Sequence, residues 1–371
     1  MLSHQNMGHF KRALLAILFV SVDAWAQLES GSDTKTLNSF RHSQKCFQAS
    51  NQSQNWPKGL LCAKESLKLG RTIFPSNDKN IASLTHNYGL MLAKNAEVTA
   101  SIAQLKNAVD LYKKIHGRHS SNVAWALLDL ADIELQAGLD SAYRTYDNAL
   151  EILSKDSNLP SLQYAQLALK SGLSLSGTAL NSKSLTAATK MAKDAYQIYS
   201  QELDEGHSTK HLAAFVLGKL KYLGKNYSEA KALLQEATLT PATATYAHGF
   251  LANIYETLGE SDAAARHNKA LGKNSAHKEL QKYHPVFVLS PKYPRYALSR
   301  GKEGYAIVEV VINTDGTVRN PTIVKEEPND WGFGKAAIKA AKQLKYAPEI
   351  IDGEAQEVDG VRYKYTFKLS K

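Results

Sequence analysis

The chain is predicted to be an α-helical repeat array followed by a small α+β domain, and three observations predict it. Marker residues recur at a 34-residue offset: Leu217-Gly218 returns as Leu251-Ala252, Ala230 as Ala264 and Ala237 as Leu271. Such a period is the signature of helical units that cannot bury their apolar faces alone and stack on their neighbours. The helical pattern then stops at Pro285, Pro291 and Pro294, which sets a boundary near residue 280. Beyond it, Val361 to Leu369 alternates apolar and polar residues at every step, the pattern of a half-buried strand.

The elements follow in order from the N-terminus. Lys11 and Arg12 precede a ten-residue apolar run, Ala13 to Val22, followed by Ala24-Trp25-Ala26. A basic start, a short apolar run and an A-x-A site describe a secretory signal peptide over residues 1–26, cut between Ala26 and Gln27. A membrane span needs about 20 apolar residues; the competing reading keeps the segment uncleaved as an inner-membrane anchor. Export places the chain in the periplasm. There the formal net charge of +10 does not point to nucleic acid; it describes a solvated basic exterior or peripheral association with acidic envelope polymers. With 43% hydrophobic and 22% charged residues over 371 positions, the chain is globular and long enough for two or three domains.

Cys46 and Cys62 are the two cysteines. Helical stretches flank the breaker "SNQSQNWPKG", and each cysteine lies eight residues from Gln54 near its centre, so antiparallel helices would bring the two level. A disulfide is expected in an exported protein; two separate buried thiols are the alternative. Six helix pairs, roughly, fill residues 27–280. Pairs at about 34–74 and 160–202 are punctuated by Pro57, Gly70 and Pro160. A longer unit, Asn107 to Gly138, carries a Gly-x-His loop, and Ala93 and Ala137, each ending a first helix, lie 44 apart. In the last two units Lys219, Tyr222, Tyr246, Asn253 and Glu256 are expected on the inner face, where an array binds a partner unless it serves only as a spacer. The 34-residue units resemble the tetratricopeptide (TPR) repeat, and the longer one its kinesin-light-chain type.

Residues 281–371 form the terminal domain. Pro294 starts, and Gly301 stops, one short helix. In the next strand Ala306, Val308, Val310 and Ile312 occupy one face and Tyr305, Ile307, Glu309, Val311 and Asn313 the other, as in a central strand covered by helices on one side. Asp315-Gly316 is expected to supply the positive φ values of a tight hairpin turn. The return strand, to about Lys325, contains Pro321 and belongs at an edge. A helix is predicted from about Trp331, capped by Asp330, with Phe333, Ala336, Ala337, Ala340, Ala341 and Leu344 on its apolar side and Lys335, Lys339, Lys342 and Lys345 solvated. Val361, Tyr363, Tyr365, Phe367 and Leu369 face one way in the last strand; Arg362, Lys364, Thr366 and Lys368 face the other. With the apolar strand central and the Pro321 strand at one edge, this strand is the second edge. Its outward backbone groups can take an extended peptide, although Lys364 and Lys368 also fit the charges that discourage edge pairing.

This domain resembles the TonB C-terminal domain in Tyr293-Pro294, Ala297, Gly301, Gly304, Asp315-Gly316, Phe333 with Ala336-Ala337, Tyr346-x-Pro348, Gly353 and the closing alternating strand. The resemblance implies a three-stranded antiparallel sheet packed on two helices, which binds the "TonB box" of outer-membrane transporters as an added strand beside the last one, and it marks Tyr293 and Pro294 as family-motif positions. It implies protein partners, a TonB-dependent receptor or a motor-complex component, and allows dimers by strand exchange. The chain departs from energy-transducing members in lacking a Pro-rich spacer, with ten prolines scattered throughout, so direct transduction is not implied. The readings left are a periplasmic adaptor, an anchored transducer and an envelope scaffold unrelated to transport. No cofactor or metal is expected: His207 and His211 share i, i+4 spacing without the glutamate of a hydrolytic zinc helix, His116 and His119 lie in an equivalent loop, and "LSLSG" lacks nucleophile-elbow spacing. No catalytic residue is assigned.

Overall fold

The computed structural model describes residues 34–177, 181–273, 283–351 and 354–369. The signal segment with Ala26 and Gln27 lies outside them, as does Gly353. Twelve helices come first among the described residues: α1 (Thr34–Gln52), α2 (Trp56–Ile73), α3 (Lys79–Lys94), α4 (Val98–His116), α5 (Ser121–Gln136), α6 (Ala142–Leu153), α7 (Ser161–Ser176), α8 (Ser182–Glu202), α9 (Ser208–Leu223), α10 (Tyr227–Ala237), α11 (Pro241–Leu258) and α12 (Ser261–Lys273). The chain divides into two compact units, the first ending at Pro160 and the second running from Ser161.

In the first unit α1 to α6 pair in succession. Side chains that disfavour helix interiors mark the starts: Asn55 accepts from the Lys58 N–H and Asp78 from the Asn80 N–H, satisfying donors with no partner inside the helix. Cys46 of α1 and Cys62 of α2 are joined as a disulfide across the hairpin, with Cα atoms 5.9 Å apart. Around it pack Phe47, Ala63 and Met91.

In the second unit the repeat markers lie inside. Leu217, Ala230, Ala237, Leu251, Ala252, Ala264 and Leu271 are all buried. Small side chains recur because two helix axes approach there, and the leucines fill the seam between pairs. The fold is thus a helical array followed by a domain with a three-stranded antiparallel sheet.

The terminal domain contains β1 (Pro285–Phe287), α13 (Arg295–Ser299), β2 (Gly304–Ile312), β3 (Val318–Glu327), α14 (Phe333–Ala341), β4 (Lys345–Tyr346), β5 (Glu349–Ile351), β6 (Glu354–Gln356) and β7 (Val358–Phe367). The main sheet has the order β3-β2-β7, all antiparallel, while β1 pairs with β4 and β5 with β6. On β2 every residue of the Ala306, Val308, Val310, Ile312 face is buried and every residue from Tyr305 to Val311 on the other is half-buried. Phe333, Ala337, Ala341 and Leu344 of the α14 segment, with Ala297 of α13, join that core.

Four local expectations are corrected. Only Gly316 of the turn takes a positive φ, +80°; the Gly316 N–H donates to Asn313 O and the Asn313 N–H to Thr317 O. This is a three-residue loop ending in a left-handed glycine, not a two-residue turn. A Cβ there would collide with the Tyr346 carbonyl, and Tyr346 N–H donates to Gly316 O at 2.9 Å. Helix α14 begins at Phe333 after Gly332, φ +81°, and its first N–H is capped at 2.9 Å by Glu326 Oε1 from β3 rather than by Asp330. Lys345 is buried, not solvated. Strand β7 ends at Phe367, so Lys368 and Leu369 follow it; the Leu369 N–H is turned to Glu303 Oε1 at 2.8 Å.

Candidate docking edge and repeat surface

Strand β7 owes its position to β2. The central strand is apolar on its covered face and must be flanked on both sides, and Pro321 with its register irregularity keeps β3 at one border. β7 takes the other and pairs with β2 alone in the sheet order. Among the described residues no strand lies on its second side, so a row of backbone donors and acceptors faces away from the sheet.

Side chains on β7 divide as alternation requires. Val361, Tyr365 and Phe367 are buried and Tyr363 half-buried, while Arg362, Lys364 and Thr366 are exposed. The exposed cations are already engaged across β2: Arg362 Nε donates to Glu309 Oε2 at 2.8 Å, and Lys364 Nζ sits 4.0 Å from the centroid of the Tyr305 ring. Both contacts tie the outer face of β7 to its neighbour and leave the backbone edge uncovered. Burial raises the Tyr363, Tyr346 and Tyr365 phenols above their ordinary range, so all three stay neutral. The Tyr363 and Tyr365 rings meet edge-on at 4.8 Å.

Tyr293 and Pro294 stand at the end of β7. The Tyr293 ring contacts Phe333 and Phe367 edge-on at 6.0 and 5.6 Å, and its hydroxyl donates to Lys302 O. Pro294 precedes the first turn of α13. Tyr293 braces the strand end, while Pro294 lies against Gly332 ahead of α14.

The repeat-face residues gather on α9 and α11, where Tyr222 and Asn253 are buried, Lys219 and Tyr246 half-buried and Glu256 exposed. Lys219 donates to Ser176 O at 3.0 Å, and desolvation lowers its pKa. The Tyr222 hydroxyl donates to Asn253 Oδ1 at 2.7 Å; both residues are buried. Tyr246 is half-buried near Phe215. Glu256 accepts from Lys345 Nζ of β4 at 2.6 Å. Phe287 of β1 meets both Tyr222 and Phe250 edge-on, so the terminal domain covers the part of that face formed by Tyr222 and Glu256. Sequence reasoning missed Phe287 and the Lys345–Glu256 pair. A lysine in a run of helix-face lysines carries no local sign of burial, and its partner is 89 residues away.

His207 and His211 have structural roles. His207 caps α9 through Nδ1, 3.2 Å from the Thr209 N–H. His211 is buried and hydrogen-bonded to Thr240 Oγ1 and Glu205 O. His116 and His119 line an open hollow with Lys155 and Asp156. Among the described residues no group of three or more His, Cys, Asp or Glu side chains could hold a metal, and no helix is long and apolar enough to cross a membrane.

Residues 290–369 match the family model described as Gram-negative bacterial TonB protein C-terminal, and this segment is a domain of that type. No curated protein matches the chain. Among solved structures, the array is similar to nearly identical TPR-like repeats of a kinesin light chain from Podosopora anserina, at 13% identity and a TM-score of 0.46, covering 53% of this chain and 92% of that one. BtubC from P. vanneervenii is similar at 13% identity and 0.43, covering 68% and 95%. PilF of Pseudomonas aeruginosa is similar at 12% identity and 0.40, covering 67% and 96%. At these scores the neighbours carry no functional argument.

Proposed function

We propose that the chain is an exported, non-enzymatic adaptor of a TonB-type outer-membrane transport system, which captures an extended partner segment by adding it as a strand beside β7. A TonB-type domain and a helical array both suggest protein binding. The observation that carries the finer reading is the second side of β7, where backbone groups face no strand of the described chain. Main-chain bonds to that edge supply affinity for any extended segment, and alternate side-chain positions supply selectivity. A receptor's N-terminal segment is the partner class that the TonB resemblance favours; a motor-complex component is the other candidate. The signal segment supports a periplasmic location, with domains at 1–26, 27–280 and 281–371.

Photo-cross-linking groups placed at Arg362, Lys364 and Thr366 are expected to trap a receptor N-terminal segment in intact cells, whereas the same group at the exposed Lys335 or Lys339 of α14 is not. Equal trapping from both sets, or none from β7, refutes strand addition. N-terminal sequencing of the protein from cells tests the export step: a start at Gln27 is expected, and retention of the apolar segment favours the anchored transducer.

A further inference from the structure

Glycine weakens a helix interior, yet Gly249 lies in the middle of α11. A Cβ placed there would stand 3.3 Å from Phe287 Cβ and 3.5 Å from Val286 Cγ2, so the segment lies in close contact with the helix and a side chain larger than a methyl would push it away. Beside it, Phe287 meets Phe250 at 5.0 Å and Tyr222 at 5.8 Å between ring centroids, both edge-on. This is the favoured geometry for aromatic pairs. The Tyr222 ring is held in place by its hydrogen bond to Asn253. Val286 and Phe287 are buried although β1 is three residues long and its only strand partner among the described residues, β4, is two. So little sheet cannot by itself secure the segment; the aromatic seat does.

We propose that the groove between α9 and α11 is a peptide-binding site that the chain fills with its own β1, and that its ligand in trans is an extended segment with a β-branched residue followed by an aromatic one. Gly249 accommodates the backbone, the Tyr222–Phe250 pair selects the aromatic ring, and the Pro285-Val286-Phe287 segment is the template for the ligand. Because it belongs to the same chain, the resident segment competes as an intramolecular occupant, and such occupants act at an effective concentration on the order of 1 mM. A competitor must exceed that concentration relative to its own affinity, so the site is closed to weak ligands and opens to strong or locally concentrated ones. The inference rests on the array being a binding surface and not on strand addition at β7, and its test leaves β7 untouched.

A fluorescent peptide spanning His284 to Ser290 is titrated into the full chain and into its Phe287→Ala form, with circular dichroism confirming the helical content of each. The Phe287→Ala protein is expected to bind the peptide at least tenfold more tightly than the unmodified protein. Replacing the peptide's phenylalanine with alanine, or adding Gly249→Leu to the protein, abolishes that gain. Equal binding by the two proteins, or binding indifferent to the peptide's phenylalanine, overturns the proposal. Should Phe287→Ala fail to fold, hydrogen–deuterium exchange on the unmodified protein decides instead. Millimolar peptide is expected to raise exchange at residues 286–288 several-fold, and unchanged exchange overturns the proposal.

Discussion

His267 of α12 illustrates what a single residue does in this array. Its Nδ1 lies 2.9 Å from Nδ1 of His248 on α11, and its ring stacks on Tyr255 at 5.4 Å. Burial first, then the neighbouring His248 and Arg266, lowers its pKa from the ordinary 6.5 to about 4. The unfolded chain therefore takes up a proton below pH 6.5 that the folded chain refuses until about pH 4. Its stabilising contribution is complete above that window and is lost as the pH falls through it. In thermal melts from pH 7.5 to 4.5, the advantage of the unmodified protein over His267→Gln is expected to shrink with falling pH. None of this was visible in the order of residues, because His248 and His267 meet only through the packing of two helices.

At the scale of elements, the α1–α2 hairpin and β7 were legible for different reasons. Cys46 and Cys62 sit symmetrically about a breaker, and once both flanks are helical the geometry of an antiparallel hairpin brings them together. Closing a loop of about 15 residues stabilises by roughly 3 kcal/mol in the chain-entropy model. Cys46→Ala/Cys62→Ala is expected to lower the unfolding free energy of the first unit by about 2–4 kcal/mol in urea titrations, with reductant having the same effect on the unmodified protein. Strand β7 was legible through its period of two, which only one pairing with the apolar β2 can satisfy. Its end was not. Phe367 is the last buried anchor, and Glu303 diverts the following backbone by accepting from the Leu369 N–H. The start of α14 was misplaced similarly, since a carboxylate from β3 supplies the cap that Asp330 was expected to provide.

At the scale of the whole molecule, the second unit is held together by contacts between segments far apart in sequence. Lys345 Nζ and Glu256 Oε1 lie 2.6 Å apart, with side chains 5% and 40% exposed. Removing the carboxylate leaves a buried ammonium without its partner, a loss of about 3–5 kcal/mol for fully buried pairs. Because Glu256 is partly solvated, about 1–3 kcal/mol is the expected cost of Glu256→Ala here. Lys345→Met, which removes the charge and keeps the stem, is expected to cost less, and urea midpoints of the two variants check the order.

By itself, the order of residues determined the helical array, the disulfide and the three-stranded sheet with β7 at its border. Each depends on a local period or on spacing across one hairpin, and such patterns survive without knowledge of distant neighbours. Only the tertiary structure decided which surfaces remain open. Five residues of α9 and α11 were expected on an inner face, yet Phe287 and Lys345 take up its Tyr222 and Glu256 part. Burial depends on what lies opposite, and nothing in a residue's own neighbourhood reports a partner 89 positions away.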